Sequence, residues 1–136
     1  DFCYAPPFGT PITPLATAAA IIQNKLSGLA LSLTPLELEK MLVAGGDFTI
    51  IDIRSPSELA ARPPINDPRL VHVPMPELRR RLDEFSRDKK TVVVCQLGVR
   101  AYEMRRMLEG QGFKDARFLE GGMKLASAVL GKRERG

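Results

Sequence analysis

The sequence predicts an α/β domain whose central, mainly parallel sheet is flanked by helices in three layers. Apolar, β-branched runs at residues 48–53, 70–73, 91–94 and 116–119 alternate with helical patterns, which is how parallel strands joined by crossovers read. A capping signature with proline at the first helical position occurs twice, in Thr34-Pro35-Leu36-Glu37 and in Ser55-Pro56-Ser57-Glu58. At 136 residues the chain suffices for one compact core and is too short for two ordinary domains.

Each element follows in order. Residues 1–14 hold four of the eleven prolines, Pro6, Pro7, Pro11 and Pro14, with Phe2 and Phe8 between them, and read as an extended tail. Residues 15–26 form a short helix ended by Ser27-Gly28. The first capping box starts a helix that runs to about Val43 and stops at Gly45-Gly46; the second starts a short helix after the strand 48–53. Pro63, Pro64 and Pro68 hold the next loop open before a short strand at 70–73. Residues 76–85 predict an amphipathic helix with Leu78, Leu82 and Phe85 on one face. A strand ending at Cys95 leads to a helix over 100–109 that buries Ala101, Met104 and Leu108. The strand 116–119 then passes through Gly121-Gly122 to a terminal helix.

Composition narrows the function. With 44% hydrophobic and 26% charged residues, the chain reads as a globular protein. Twenty Lys and Arg against sixteen Asp and Glu leave +4, which suits a small anionic substrate. The basic groups Arg79-Arg80-Arg81, Lys89-Lys90, Arg105-Arg106 and Lys132-Arg133 are scattered among acids and read as solvated helix faces, with no nucleic-acid partner expected. Cys3 and Cys95 form neither a metal cluster nor a C-x-x-C pair, so no metal is expected, and a reducing cytoplasm is the natural setting. The apolar stretch 15–22 is too short for a membrane span and lacks a preceding basic segment. Because the chain opens at Asp1, it reads as a piece of something longer.

The chemistry concentrates in Cys95-Gln96-Leu97-Gly98-Val99-Arg100. This stretch places a thiol at the carboxyl end of a strand, on a loop whose amides lead into a helix N-terminus. Amides at such a position carry partial positive charge and favour a thiolate. Gly98 lets the loop curl, and Arg100 adds a permanent cation that either serves the anion, braces the loop or pairs with a nearby acid. Ligands in open parallel sheets sit at the carboxyl ends of strands, which makes Asp52 and Arg54 site-edge candidates. The competing role for Asp52, Arg54 and Glu58 is a network fixing the strand-to-helix turn, with Glu58 as partner of Arg54. His72, the single histidine, lies in an apolar run and reads as structural, which leaves a Cys-His hydrolase with little support.

Residues 31–130 resemble a rhodanese domain. Ile51-Asp52-Ile53-Arg54 is similar to that family's D-[VI]-R segment, and Val73-Pro74-Met75 with Glu77-Leu78 to its I-P-[LM]-x-E-L segment. Cys95 to Arg100 resembles its six-residue active-site loop, and Gly112-Phe113 with Leu119-Glu120-Gly121-Gly122 its closing glycine pattern. The family's G-H-I-P-G segment is replaced by Arg62-Pro63-Pro64-Ile65-Asn66-Asp67-Pro68, and Met123 stands where a Trp often follows the glycines. Tyr4-Ala5-Pro6-Pro7-Phe8-Gly9 and the following helix resemble the end of a flavin-dependent pyridine nucleotide-disulfide oxidoreductase of the coenzyme A disulfide reductase type. On that resemblance, residues 1–28 are the tail of a reductase dimerisation domain plus linker, and residues 29–136 the rhodanese-like domain.

The resemblance implies a sulfurtransferase. Cys95 would be the nucleophile that carries sulfane sulfur as a persulfide, from thiosulfate, polysulfide or a low-molecular-weight persulfide to a thiol or reductase acceptor. The amides of Gln96, Leu97, Gly98, Val99 and Arg100 would cradle the sulfur, with Asp52, Arg54 and Glu58 in support. The domain itself would need no cofactor, whereas the longer reductase implies FAD, NAD(P)H and coenzyme A. Its expected partners are a small anionic sulfur donor and the reductase portion of the same polypeptide. Two rivals are a docking or regulatory module without turnover, and a cysteine phosphatase or arsenate reductase. The latter pair uses C-x5-R, whereas Arg100 stands five positions after Cys95 and the sixth is Ala101.

Overall fold

The computed structural model describes residues 19, 22–28 and 31–130. The chain divides into two units, residues 1–31 and 32–136. In the first, residues 22–26 are helical and Ser27-Gly28 closes the helix, the Ser27 amide donating to the Gln23 carbonyl at 2.9 Å. The proline-rich segment 1–14, with Cys3 and Tyr4, lies outside the described residues, as do residues 131–136.

The second unit is an α/β fold. Five parallel strands, β1 (Ser32–Leu33), β2 (Phe48–Asp52), β3 (Leu70–His72), β4 (Lys90–Val94) and β5 (Ala116–Leu119), lie in the order β1-β5-β4-β2-β3. Its helices are α1 (Pro35–Ala44), α2 (Pro56–Ala61), α3 (Met75–Leu78), α4 (Val99–Gly110) and α5 (Gly122–Leu130), with a 3-10 turn at Leu82–Glu84.

Both capping boxes form as the sequence predicts. Thr34 and Glu37 cap α1, Ser55 and Glu58 cap α2, and in each the side chains and backbone amides exchange hydrogen bonds. Strand alternation sorts the core into two faces. Ile51 and Val93 join Leu78, Leu82, Phe85, Ala101 and Leu108 on one side; Ile50, Val92 and Val94 join Leu38 and Leu42 of α1 and Met123 and Ala126 of α5 on the other.

Three features differ from the sequence reading. β1 is a strand of two residues with no periodicity of its own, formed by pairing with β5. Residues 76–85 are not one helix: beyond Leu78 the amides of Arg80, Arg81, Glu84 and Phe85 reach back three residues, to Glu77, Leu78, Arg81 and Leu82. The tighter winding still turns Leu78, Leu82 and Phe85 inward. Arg105 is not on a solvated face; it is buried, with Nε donating to the Ala116 carbonyl at 3.0 Å and Nη2 to Glu109 at 3.1 Å, so that it fastens α4 to β5. Among the described residues no helix is long and apolar enough to cross a membrane.

Candidate active site

β2 and β4 are neighbours in register, Asp52 opposite Val94, so their carboxyl ends deliver Asp52 and Cys95 side by side. The Ile53 amide continues the ladder onto the Val94 carbonyl at 2.9 Å. Immediately beyond, the chain curls through Gln96, Leu97 and Gly98 into α4. Gly98 is the N-cap residue with φ +100°, a conformation open to glycine, and its amide donates to Cys95 Sγ at 3.0 Å. Tyr102 makes the first intrahelical bond, to Gly98 O at 3.0 Å, so the amides of Val99, Arg100 and Ala101 precede it at the positive end of the helix. Cys95 is buried, whereas Leu97 and Val99 on the same loop are 59% and 68% exposed. The Gln96 Oε1 atom is buried and makes no hydrogen bond among the described residues.

The loop rests on the start of α5, a support that sequence reasoning missed. Amides of Met123 and Lys124 donate to the carbonyls of Cys95 and Gln96 at 2.9 and 3.0 Å. Those carbonyls are thereby turned toward α5, which leaves the Gly98 amide free to address the sulfur. Gly122 makes the approach possible: a Cβ there would stand 2.5 Å from the Cys95 carbonyl oxygen and from the Gln96 carbonyl carbon. The sequence signal is the glycine pair itself, with φ +66° and +57°.

The acidic and basic candidates pair otherwise than expected. Arg54 binds Asp52, not Glu58: Nε lies 3.0 Å from Oδ1 and Nη2 2.7 Å from Oδ2, with the Arg54 amide also donating to Oδ1 at 3.1 Å. Both side chains are fully buried, as the desolvation of a carboxylate and a guanidinium requires when each satisfies the other. Arg54 Nη1 donates to the Arg62 carbonyl at 2.9 Å, and His72 Nε2 donates to the Arg54 carbonyl at 2.7 Å, which gives the histidine a structural post. The relevant sequence signal is the i, i+2 spacing, which puts Asp52 and Arg54 on one side of an extended chain.

Glu58 instead grips Arg100. Nη2 lies 2.5 Å from Oε1 and Nη1 3.1 Å from Oε2, a two-point fork that ties α4 to α2, while the Ser55 amide donates to the same Oε2 at 2.9 Å. The Arg100 hydrogen bond above all, then the Ser55 amide, hold the Glu58 carboxyl at about 2, well below its ordinary 4.5. Arg100 is raised in turn, chiefly by the Glu58 hydrogen bond, with smaller contributions from the charges of Glu58, Cys95 and Asp52. Of the three roles open to Arg100, the geometry shows pairing with a nearby acid, Glu58 of α2, which braces the start of α4. The arrangement therefore offers a thiol held by an amide at a helix start, flanked by two internally matched ion pairs.

A family profile for the rhodanese-like domain matches residues 34–128. The chain is 30% identical over 86 residues to the putative sulfurtransferase YtwF of Bacillus subtilis, covering 63% of this chain and 80% of that protein. Among solved structures it is similar to the reduced CoADR-RHD of Bacillus anthracis, with TM-score 0.77 and 32% identity over 98% of this chain. It is also similar to a NAD-dependent persulfide reductase from A. fulgidus, with TM-score 0.66 and 38% identity over 90% of this chain. It spans only 23% and 20% of those two chains. With the profile covering well over half its length and the Cys95 loop, the D-x-R pair and the closing glycines in place, the chain belongs to the rhodanese-like domain family.

Proposed function

We propose that the protein is a rhodanese-type sulfurtransferase in which Cys95 takes sulfane sulfur from thiosulfate, polysulfide or a low-molecular-weight persulfide and passes it to a thiol or a reductase acceptor. The observation that carries this reading is the Gly98 amide at 3.0 Å from Cys95 Sγ, in a loop whose helix-start amides precede the first intrahelical bond. A thiolate there attacks the outer sulfur of the donor; the donor's S–S bond breaks, its leaving group departs with the electron pair, and the new terminal sulfur shares the anion site. Supporting this, YtwF carries the name sulfurtransferase. The loop length supports sulfur over phosphate, since a phosphatase loop needs one residue more before its arginine.

The same proposal extends to the setting. Similarity to CoADR-RHD and to a persulfide reductase, of which this chain spans 23% and 20%, supports a reductase portion of one polypeptide as partner; the proposed setting is the cytoplasm, where Cys95 would stay reduced. FAD, NAD(P)H and coenzyme A would belong to that portion.

Mass spectrometry of the purified chain after exposure to each donor tests the reading. Cys95 should gain one sulfur atom, Cys95→Ser should gain none, and Cys3→Ser should behave as the parent. An unmodified Cys95 with every donor, or full transfer to cyanide by Cys95→Ser, would sink it.

A further inference from the structure

We infer that Glu58 determines donor specificity: by occupying the Arg100 guanidinium it leaves the mouth of the Cys95 loop neutral and apolar, and so favours persulfides carried on an organic thiol over the thiosulfate dianion. The inference rests on the sulfurtransferase reading and names its substrate class. Two cations are built into the site, and each is matched by a carboxylate, Arg54 by Asp52 and Arg100 by both oxygens of Glu58. On the same loop as the buried Cys95, the exposed side chains of Leu97 and Val99 offer the donor an apolar surface. Lys124, whose amide holds the Gln96 carbonyl, is exposed, so its charge is screened by solvent.

The two donors make different demands on such a surface. With thiosulfate, the Cys95 thiolate forms an Sγ–S bond to the outer sulfur and sulfite leaves with the electron pair, so a dianion must approach an anion. With an alkyl persulfide the same bond forms at the terminal sulfur and the carrier thiolate leaves. The reacting end then brings at most one charge, and the organic arm can rest on Leu97 and Val99. A free guanidinium would serve the first donor and do little for the second.

Rates of Cys95 persulfidation, followed by mass spectrometry with thiosulfate and with benzyl hydropersulfide, provide the test. The wild type should prefer the hydropersulfide. Glu58→Gln should raise the thiosulfate-to-hydropersulfide rate ratio on the order of tenfold, an effect that shrinks with added salt. The double variant Glu58→Gln with Arg100→Ala should lose that gain. Ser55→Ala, which breaks the α2 cap and keeps the ion pair, should leave the ratio unmoved. A wild type that prefers thiosulfate, or a Glu58→Gln variant in which both donors slow together or keep their ratio, overturns the inference while the sulfurtransferase reading stands. Failure of the wild type to load from either donor overturns both.

Discussion

A methyl group on Gly122 would collide with the Cys95 and Gln96 carbonyls at 2.5 Å, and the residue's φ of +57° already disfavours a side chain. Gly122→Ala should push the loop off α5 and cut transfer on the order of 100-fold, the scale of an ångström-sized misplacement of a reacting group. Activity against urea stability checks this, since a fold-wide failure would lower both. At Asp52, replacement by Asn keeps the shape but strips the charge that the buried Arg54 needs. The expected cost is about 3–5 kcal/mol in denaturant unfolding, the usual result of orphaning one member of a buried pair. Single residues were legible in uneven measure. Cys95, Gly98 and the helix that follows them are contiguous, so a local reading finds them. The role of Gly122 depends on an approach between segments far apart in sequence, and the choice of Glu58 for Arg100 depends on where two helices begin; local spacing marks the glycine pair but names neither partner.

Elements that carry their own start signals emerged where the sequence placed them. Thr34 and Ser55, each followed by proline and then glutamate, specify α1 and α2 without tertiary help. Thr34→Ala should accordingly cost about 1 kcal/mol in urea unfolding, the ordinary value of an N-cap, and leave sulfur transfer untouched because α1 lies away from Cys95 on the opposite face of the sheet. A destabilised variant with altered transfer would mean that α1 communicates with the site. What eluded the sequence are elements without a period: β1, two residues long and made only by its ladder with β5, and residues 79–85, whose apolar spacing fits both a helix and the looser turns observed. The burial of Arg105 is hidden for a related reason, because a charged residue on a charge-rich helix gives no sign that a strand carbonyl awaits it.

Across the whole molecule, acid should act through the brace between α2 and α4. Glu58 has its folded value near 2 against an ordinary 4.5, so its pairing with Arg100 contributes fully above pH 4.5 and is lost as pH falls through about 2. Urea midpoints measured between pH 6 and pH 2 should therefore fall in the wild type, and the gap to Glu58→Gln should narrow toward the acid end (~2, where the Glu58 carboxyl takes up a proton and loses the charge that the glutamine lacks at every pH). A gap that stayed constant across this range would exclude the pairing as its source. A last consequence concerns the order in which the chain is made. The carbonyls of Cys95 and Gln96 are anchored by amides of residues 123 and 124, nearly thirty positions downstream. On the ribosome, where the N-terminal part of a chain emerges first, the thiol therefore appears well before the structure that shapes its loop. A nascent or truncated polypeptide ending short of Gly122 lacks the amides that anchor those two carbonyls, so the cell meets the finished sulfur site only once residues 123 and 124 have been made.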